Sequence, residues 1–175
     1  MISRLSRSPE NSVIFIVDDN LSNLDATKAS LPKSYEVFSL QSAEKLFKIL
    51  ARKTPDLILL DVEMPVMNGF ETIKILKAEQ KTSSIPVIFL SSLTDTESLR
   101  QGLELGAADF LTKPVLPKLL QKSVELHLSV IAQQNLLESQ RRALDGNDAE
   151  LSSLRKGYDT LVGGGHDGKQ NPLAS

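Results

Sequence analysis

The chain has 175 residues, 41% of them hydrophobic, enough for one core of ordinary domain size with a helical appendage left over. A formal net charge of -2 without clustered Lys and Arg gives no electrostatic pull towards nucleic acid or anionic lipid. With no cysteine and only His127 and His166, disulfides, thiolate nucleophiles and Cys-ligated zinc are excluded and a His-rich site is not expected, so chemistry falls to carboxylates, hydroxyls and lysine.

The first apolar run, "VIFIV" from Val13 to Val17, is rich in β-branched residues and too short for a helix; it reads as a strand buried on both faces. Asp18, Asp19 and Asn20 follow, then helical spacing at Leu21, Leu24 and Leu31, closed by Pro32. "YEVFSL", Tyr35 to Leu40, is a second strand. Ser42 then caps a helix with Leu46, Phe47, Ile49 and Leu50 on its inner side. "LILL", Leu57 to Leu60, is strand three, "FETIKILKAE", Phe70 to Glu79, a helix, and "VIFL", Val87 to Leu90, strand four. A helix from about Thr94 to Leu105 ends at Gly106, where glycine accepts the left-handed conformation of a helix terminus. "DFLT", Asp109 to Thr112, is a short fifth strand, and a last helix starts after Lys113 and Pro114. Five strands alternating with five helices give right-handed crossovers and a parallel α/β sheet covered on both faces.

In such sheets ligands bind outside the carboxyl ends of the strands, where strand order reverses. Asp18 and Asp19 follow strand one, Asp61 ends strand three, Ser91 and Ser92 end strand four, and Lys113 ends strand five. Taken singly, each reads as a turn or cap residue. Capping says nothing about their joint placement, whereas a shared site does. Three aspartates in one pocket repel by about 4 kcal/mol per close pair at an effective dielectric near 20, so positive charge must sit among them. Magnesium suits hard carboxylate oxygens, with manganese an acceptable substitute, and Lys113 adds an ammonium. A carboxylate can attack phosphorus to give an aspartyl phosphate, whose oxygens the cation, Lys113 and the Ser91 hydroxyl could each take.

At these positions residues 12–125 resemble the receiver domain of two-component response regulators. The likeness rests on "VDDN" at Val17 to Asn20, "LLDVEMPVMNGFE" at Leu59 to Glu71, "FLSS" at Phe89 to Ser92 and "GAADFLTKP" at Gly106 to Pro114. It implies a (βα)5 doubly wound, flavodoxin-like fold. It also implies that Asp61 accepts a phosphoryl group from a histidine kinase or phosphotransfer protein, with no turnover of a separate substrate. Asp19 and Asp61 would bind magnesium directly, the Glu63 carbonyl would be a third ligand, and Asp18 would act through a water. Lys113 would pair with the phosphoryl group across a cis Lys113–Pro114 bond, and Pro65 and Gly69 would shape the loop after Asp61. Ser91 and Phe110 match the switch pair, Ser91 standing where threonine is more frequent. Glu63 and Leu93 fall where the family tunes loss of the phosphoryl group, and slow self-dephosphorylation is the expectation.

Beyond a leader of residues 1–11 and the receiver of 12–125, the last helix continues as a coiled-coil extension over 126–162, on a heptad spacing that begins at Leu116. Apolar residues recur at Leu116, Val130, Leu137, Leu144, Leu151 and Tyr158, interrupted by Ser123, with Leu119, Leu126, Gln133, Gln140, Asn147, Leu154 and Leu161 as companions. This favours a parallel two-stranded coiled coil and a homodimer; the bland alternative is a solvated helix folding back on its own domain. Gly146, with a capping-box pattern at Asn147 and Glu150, is a candidate break. "GGGHDGKQNPLAS", residues 163–175, reads as a flexible tail. Val124 to Leu144 is similar to the connecting helix of response regulators whose outputs make or degrade cyclic di-GMP, which leaves two outputs open: a further C-terminal domain or the coil itself. Two competing readings are a phosphatase or phosphotransferase of haloacid-dehalogenase type, where Glu63 replaces the usual second aspartate and the cap is missing, and a receiver-shaped scaffold that is never phosphorylated. No helix-turn-helix follows the receiver. No apolar run approaches the roughly 20 residues of a spanning helix, and "MISRLSRSPENS" lacks the apolar middle of a secretory signal; the cytoplasm is the expected location.

Overall fold

The computed structural model describes residues 11–92 and 95–163, without the side chains of 146–149 and 157–163. The expectations for the leader up to residue 10, for Leu93, for the tail beyond 163 and for the side chains of Asn147, Tyr158 and Leu161 lie outside the described residues. The elements run β1 (Val13–Val17), α1 (Leu21–Ala29), β2 (Glu36–Leu40), α2 (Ala43–Leu50), β3 (Leu57–Asp61), α3 (Gly69–Ala78), β4 (Val87–Ser91), α4 (Thr96–Glu104), β5 (Asp109–Thr112) and α5 (Pro117–Gly163).

The strands form one parallel sheet in the order β2-β1-β3-β4-β5. All five residues of β1, β3 and β4 are buried, as unbroken apolar runs in a sheet covered on both sides require. Alternation divides them between two cores. Phe15, Ile58, Leu60 and Phe89 face Leu46 of α2 with Ile73 and Leu76 of α3. Ile14, Ile16, Leu59 and Leu90 face Leu24 of α1 with Leu120, Val124 and Leu128 of α5. The sheet's order reverses between β1 and β3, which opens a crevice at the carboxyl ends of those two strands.

The helices start where the sequence supplies caps. The Asn20 side chain accepts from Ser22 N and Asn23 N, Ser42 from Lys45 N, and Asn68 forms a capping box with Glu71. Gly106 closes the α4 segment at φ +89°. Two expectations differ from the structure. Leu21 is exposed, and only Leu24 of α1 is buried, because the short helix touches the sheet along one narrow line. The backbone also stays helical through Gly146: one internal glycine costs about 1 kcal/mol, less than ending and renucleating a helix. The chain divides into two compact units, one up to Gln133 and one from Gln134.

Candidate functional site

Asp18 leaves β1 into the crevice and is 2% exposed. Its Oδ1 accepts from Asn20 N at 2.9 Å and Asn23 Nδ2 at 3.1 Å, and its Oδ2 from Lys113 Nζ at 2.7 Å. Asp61, the last residue of β3, is equally buried; its Oδ1 takes Lys113 Nζ at 3.0 Å and Glu63 N at 3.3 Å. Asp19 is exposed at the mouth. Carboxylate oxygens of Asp18, Asp19 and Asp61 lie within 4.8 Å of one another. One ammonium thus contacts two of the three clustered carboxyl groups.

The charges respond accordingly. Burial pushes the Asp61 carboxyl above the ordinary aspartate range, with the nearby Asp18 charge adding to it, and the Lys113 and Glu63 N–H contacts only partly offset this. Burial works against the Lys113 ammonium too, but its bonds to Asp18 and Asp61 outweigh it and hold the amine above its usual value.

Backbone geometry holds the rim. Lys113 N donates to Ser91 O at 2.8 Å, and the Lys113–Pro114 peptide is cis. After Asp61 the chain turns sharply, with Gly69 N on Val62 O at 2.9 Å. A Cβ at Gly69 would overlap the Asp61 carbonyl oxygen and lie 2.8 Å from Val62 Cα, so no larger residue fits. Val66 in this loop sits at φ 69°, a strained conformation for a β-branched residue. The resulting cleft, about 690 Å³, is lined by Asp19, Asn23, Asp61, Glu63, Ser92 and Lys113 among others.

The structure therefore brings Asp18, Asp19, Asp61 and Lys113 together. Ser91 is fully buried at the end of β4, one position beyond Leu90, which pairs with Asp61. Phe110 lies outside the cleft, half-buried and edge-on to Phe89 with ring centroids 5.9 Å apart. Phe110 pairs with Phe89 in register, so strand alternation makes Ser91 and Phe110 diagonal neighbours on one face. Gly102 of α4 packs on the same two rings; a Cβ there would lie 3.2 Å from Phe89. Three features escaped the sequence reading: Asn23 bracing Asp18, the Glu63 side chain accepting from Ser92 N, and a link from Asp109 to Ser123 and His127 of α5. Only Asn23 left a signal, one helical turn past the Asn20 cap.

Residues 14–125 match the family model of the response regulator receiver domain. This chain belongs to that family. Among relatives of the receiver, a probable cyclic di-GMP phosphodiesterase of Vibrio cholerae is 37% identical over 132 residues, 75% of this chain and 30% of that protein. Response regulator PleD of Caulobacter vibrioides is 42% identical over 103 residues, 58% of this chain and 23% of that protein. The chain thus spans less than a third of either relative. Among solved structures, the receiver domain of a Francisella response regulator superposes with TM-score 0.65 at 25% identity, covering 69% of this chain and 99% of that domain. Residues 14–125 thus form a two-component receiver, the domain type that serves as a phosphorylation-controlled switch. Receivers bind magnesium through an acidic pocket, and they work with histidine kinases or phosphotransfer proteins instead of turning over a substrate of their own. Family membership removes the haloacid-dehalogenase reading. No described helix is long and apolar enough to cross a membrane.

Proposed function

We propose that Asp61 takes the phosphoryl group of a phosphohistidine on a histidine kinase or phosphotransfer protein. An Asp61 oxygen forms the new P–O bond as the P–N bond breaks; the leaving imidazole keeps the electron pair and takes a proton from solvent. The observation that carries this reading is the Lys113 ammonium held between Asp18 and Asp61 at 2.7 and 3.0 Å, against the floor of an open cleft. That amine is positioned to meet a phosphoryl oxygen on Asp61 without first being recruited, which is how electrostatic preorganisation lowers such barriers.

The donor set fits a magnesium ion, since hard carboxylate oxygens outnumber the one ammonium. On this reading Asp19, Asp61 and the Glu63 carbonyl would hold it, with Asp18, already engaged by three donors, acting through water. When bound, the ion would neutralise charge on the transferring group. Asp18 meanwhile orients Lys113, and Ser91 offers a hydroxyl whose inward shift would free the space into which Phe110 turns.

Residues 12–125 then act as the receiver in the cytoplasm, 126–162 as a coiled-coil extension that pairs two copies, and 163–175 as a linker. The Vibrio cholerae relative's name points to cyclic di-GMP as the signal downstream. The full set of Asp18, Asp19, Asp61, Ser91 and Lys113 favours this over a scaffold that is never phosphorylated. Acetyl phosphate with magnesium should add one phosphoryl group to the wild-type protein, read by intact mass, and none to Asp61→Asn. Uptake by the variant at the wild-type rate would remove the assignment.

A further inference from the structure

One bond in the cleft is not used by phosphoryl transfer. Glu63, on the loop after β3, turns its carboxylate across the mouth, and Oε2 accepts from the backbone N–H of Ser92 at 3.3 Å, joining positions 29 residues apart. Both residues line the cleft with Asp61 and Lys113. The backbone N–H of Glu63 itself donates to Asp61 Oδ1, so the segment is tied to the phosphoryl acceptor at one end and to the β4–α4 connection at the other. The Ser92 N–H is thus a main-chain donor beside the cleft that already holds an anionic oxygen. A phosphoryl group on Asp61 would bring nearly two negative charges and three acceptor oxygens into the same space. The Glu63 carboxylate would then be both a like charge and a competitor for the donor.

We infer that Glu63 is a positioning residue that works as a built-in anionic placeholder. Its carboxylate occupies the Ser92 N–H while Asp61 is bare and is expelled when a phosphoryl group enters. It thereby weakens the site's hold on the phosphoryl group and makes the start of the β4–α4 connection respond to occupancy. This rests on the reading of Asp61 as the phosphoryl acceptor. The opposite role, in which the Glu63 charge helps by attracting a cation, predicts the opposite sign when that charge is removed.

The test uses beryllofluoride as the phosphoryl mimic, titrated calorimetrically into the full chain at saturating magnesium, with magnesium affinity measured separately. Glu63→Gln keeps the length and a neutral acceptor; Glu63→Ala removes both. The variants should bind beryllofluoride about fivefold more tightly than wild type, the effect of removing one like charge at roughly 4 Å in a water-like dielectric. The Ser92 amide proton should also move upfield in ligand-free Glu63→Ala, reporting loss of its bond to the carboxylate. Equal or weaker binding by both variants, or an unmoved Ser92 resonance, would overturn the inference while leaving Asp61 in its role. A wild-type protein that does not bind beryllofluoride would overturn the Asp61 reading and this one with it.

Discussion

The Asp61 carboxyl is buried for chemistry and destabilises the bare fold. Because its folded pKa lies above the unfolded one, between the two values the folded state keeps a proton that the unfolded chain has released. Stability therefore falls as pH rises through that window, and the whole deficit is present above it. Lys113 offsets only part of this: its amine is raised, so its stabilisation is complete at neutral pH and is lost only as pH climbs through its folded value. Asp61→Asn keeps shape and an acceptor for Lys113, which also retains Asp18. In magnesium-free buffer it should raise the urea midpoint at pH 7, with the gain shrinking as pH falls into the ordinary carboxylate range. A variant less stable than wild type at pH 7 would mean that the Lys113 contact outweighs burial. The location of Asp61 was legible because it closes an apolar strand at the same sheet edge where Asp18, Asp19, Ser91 and Lys113 close theirs, a joint placement that separate caps do not explain. The Glu63–Ser92 bond was not, since nothing local relates a side chain to an amide 29 residues away.

At the scale of elements, β5 and α5 are joined through Asp109. Its Oδ1 accepts from Phe110 N at 2.8 Å, while Oδ2 takes the Ser123 hydroxyl and lies 3.7 Å from His127 Nε2. This accounts for the serine that interrupts the heptad spacing: Ser123 is buried beside Val124 against the sheet, while the neighbouring seam residues Leu119, Leu126 and Val130 are exposed. Periodicity treated α5 as one amphipathic helix. In fact it carries two faces, and a hydroxyl that looks like a fault in one serves the other. A hydrogen bond to a charged group contributes about 1.5–3 kcal/mol. Asp109 remains partly exposed and can recover water, so Ser123→Ala should cost about 1.5 kcal/mol, at the low end, read as a lower urea midpoint with unchanged slope. A loss within error of zero would show that the link contributes nothing. Gly146 gives the converse lesson. A capping pattern and a poor helix former suggested a stop, yet a local preference of about 1 kcal/mol cannot end a helix that has already paid for its nucleus.

For the whole molecule the unsettled surface is the second half of α5. Leu137, Leu144, Leu151 and Leu154 are all exposed, on a spacing that aligns them along one stripe. A helix left in water has no reason to repeat leucine at that interval, whereas a second copy would bury the stripe. Orientation follows from charge. In a parallel, in-register pair Glu150 of one copy lies beside Arg155 of the other, an opposite-charge contact flanking the seam, and both residues are exposed to make it. Gln133 and Gln140 in the companion row would weaken the pair while penalising shifted registers. The absence of cysteine makes the arrangement directly readable, because any disulfide must come from an introduced residue. Leu137→Cys and Leu151→Cys, oxidised separately, should each form a covalent dimer, since parallel register brings each position against its own copy within disulfide reach. An antiparallel pair centred between them would instead cross-link only when the two variants are mixed. A monomer at both positions, alone and mixed, would leave the leucine stripe without the partner assigned to it. Since each result comes from the same pair of proteins, the test separates a parallel dimer from an antiparallel one and from no dimer, without reference to the phosphorylation state of Asp61.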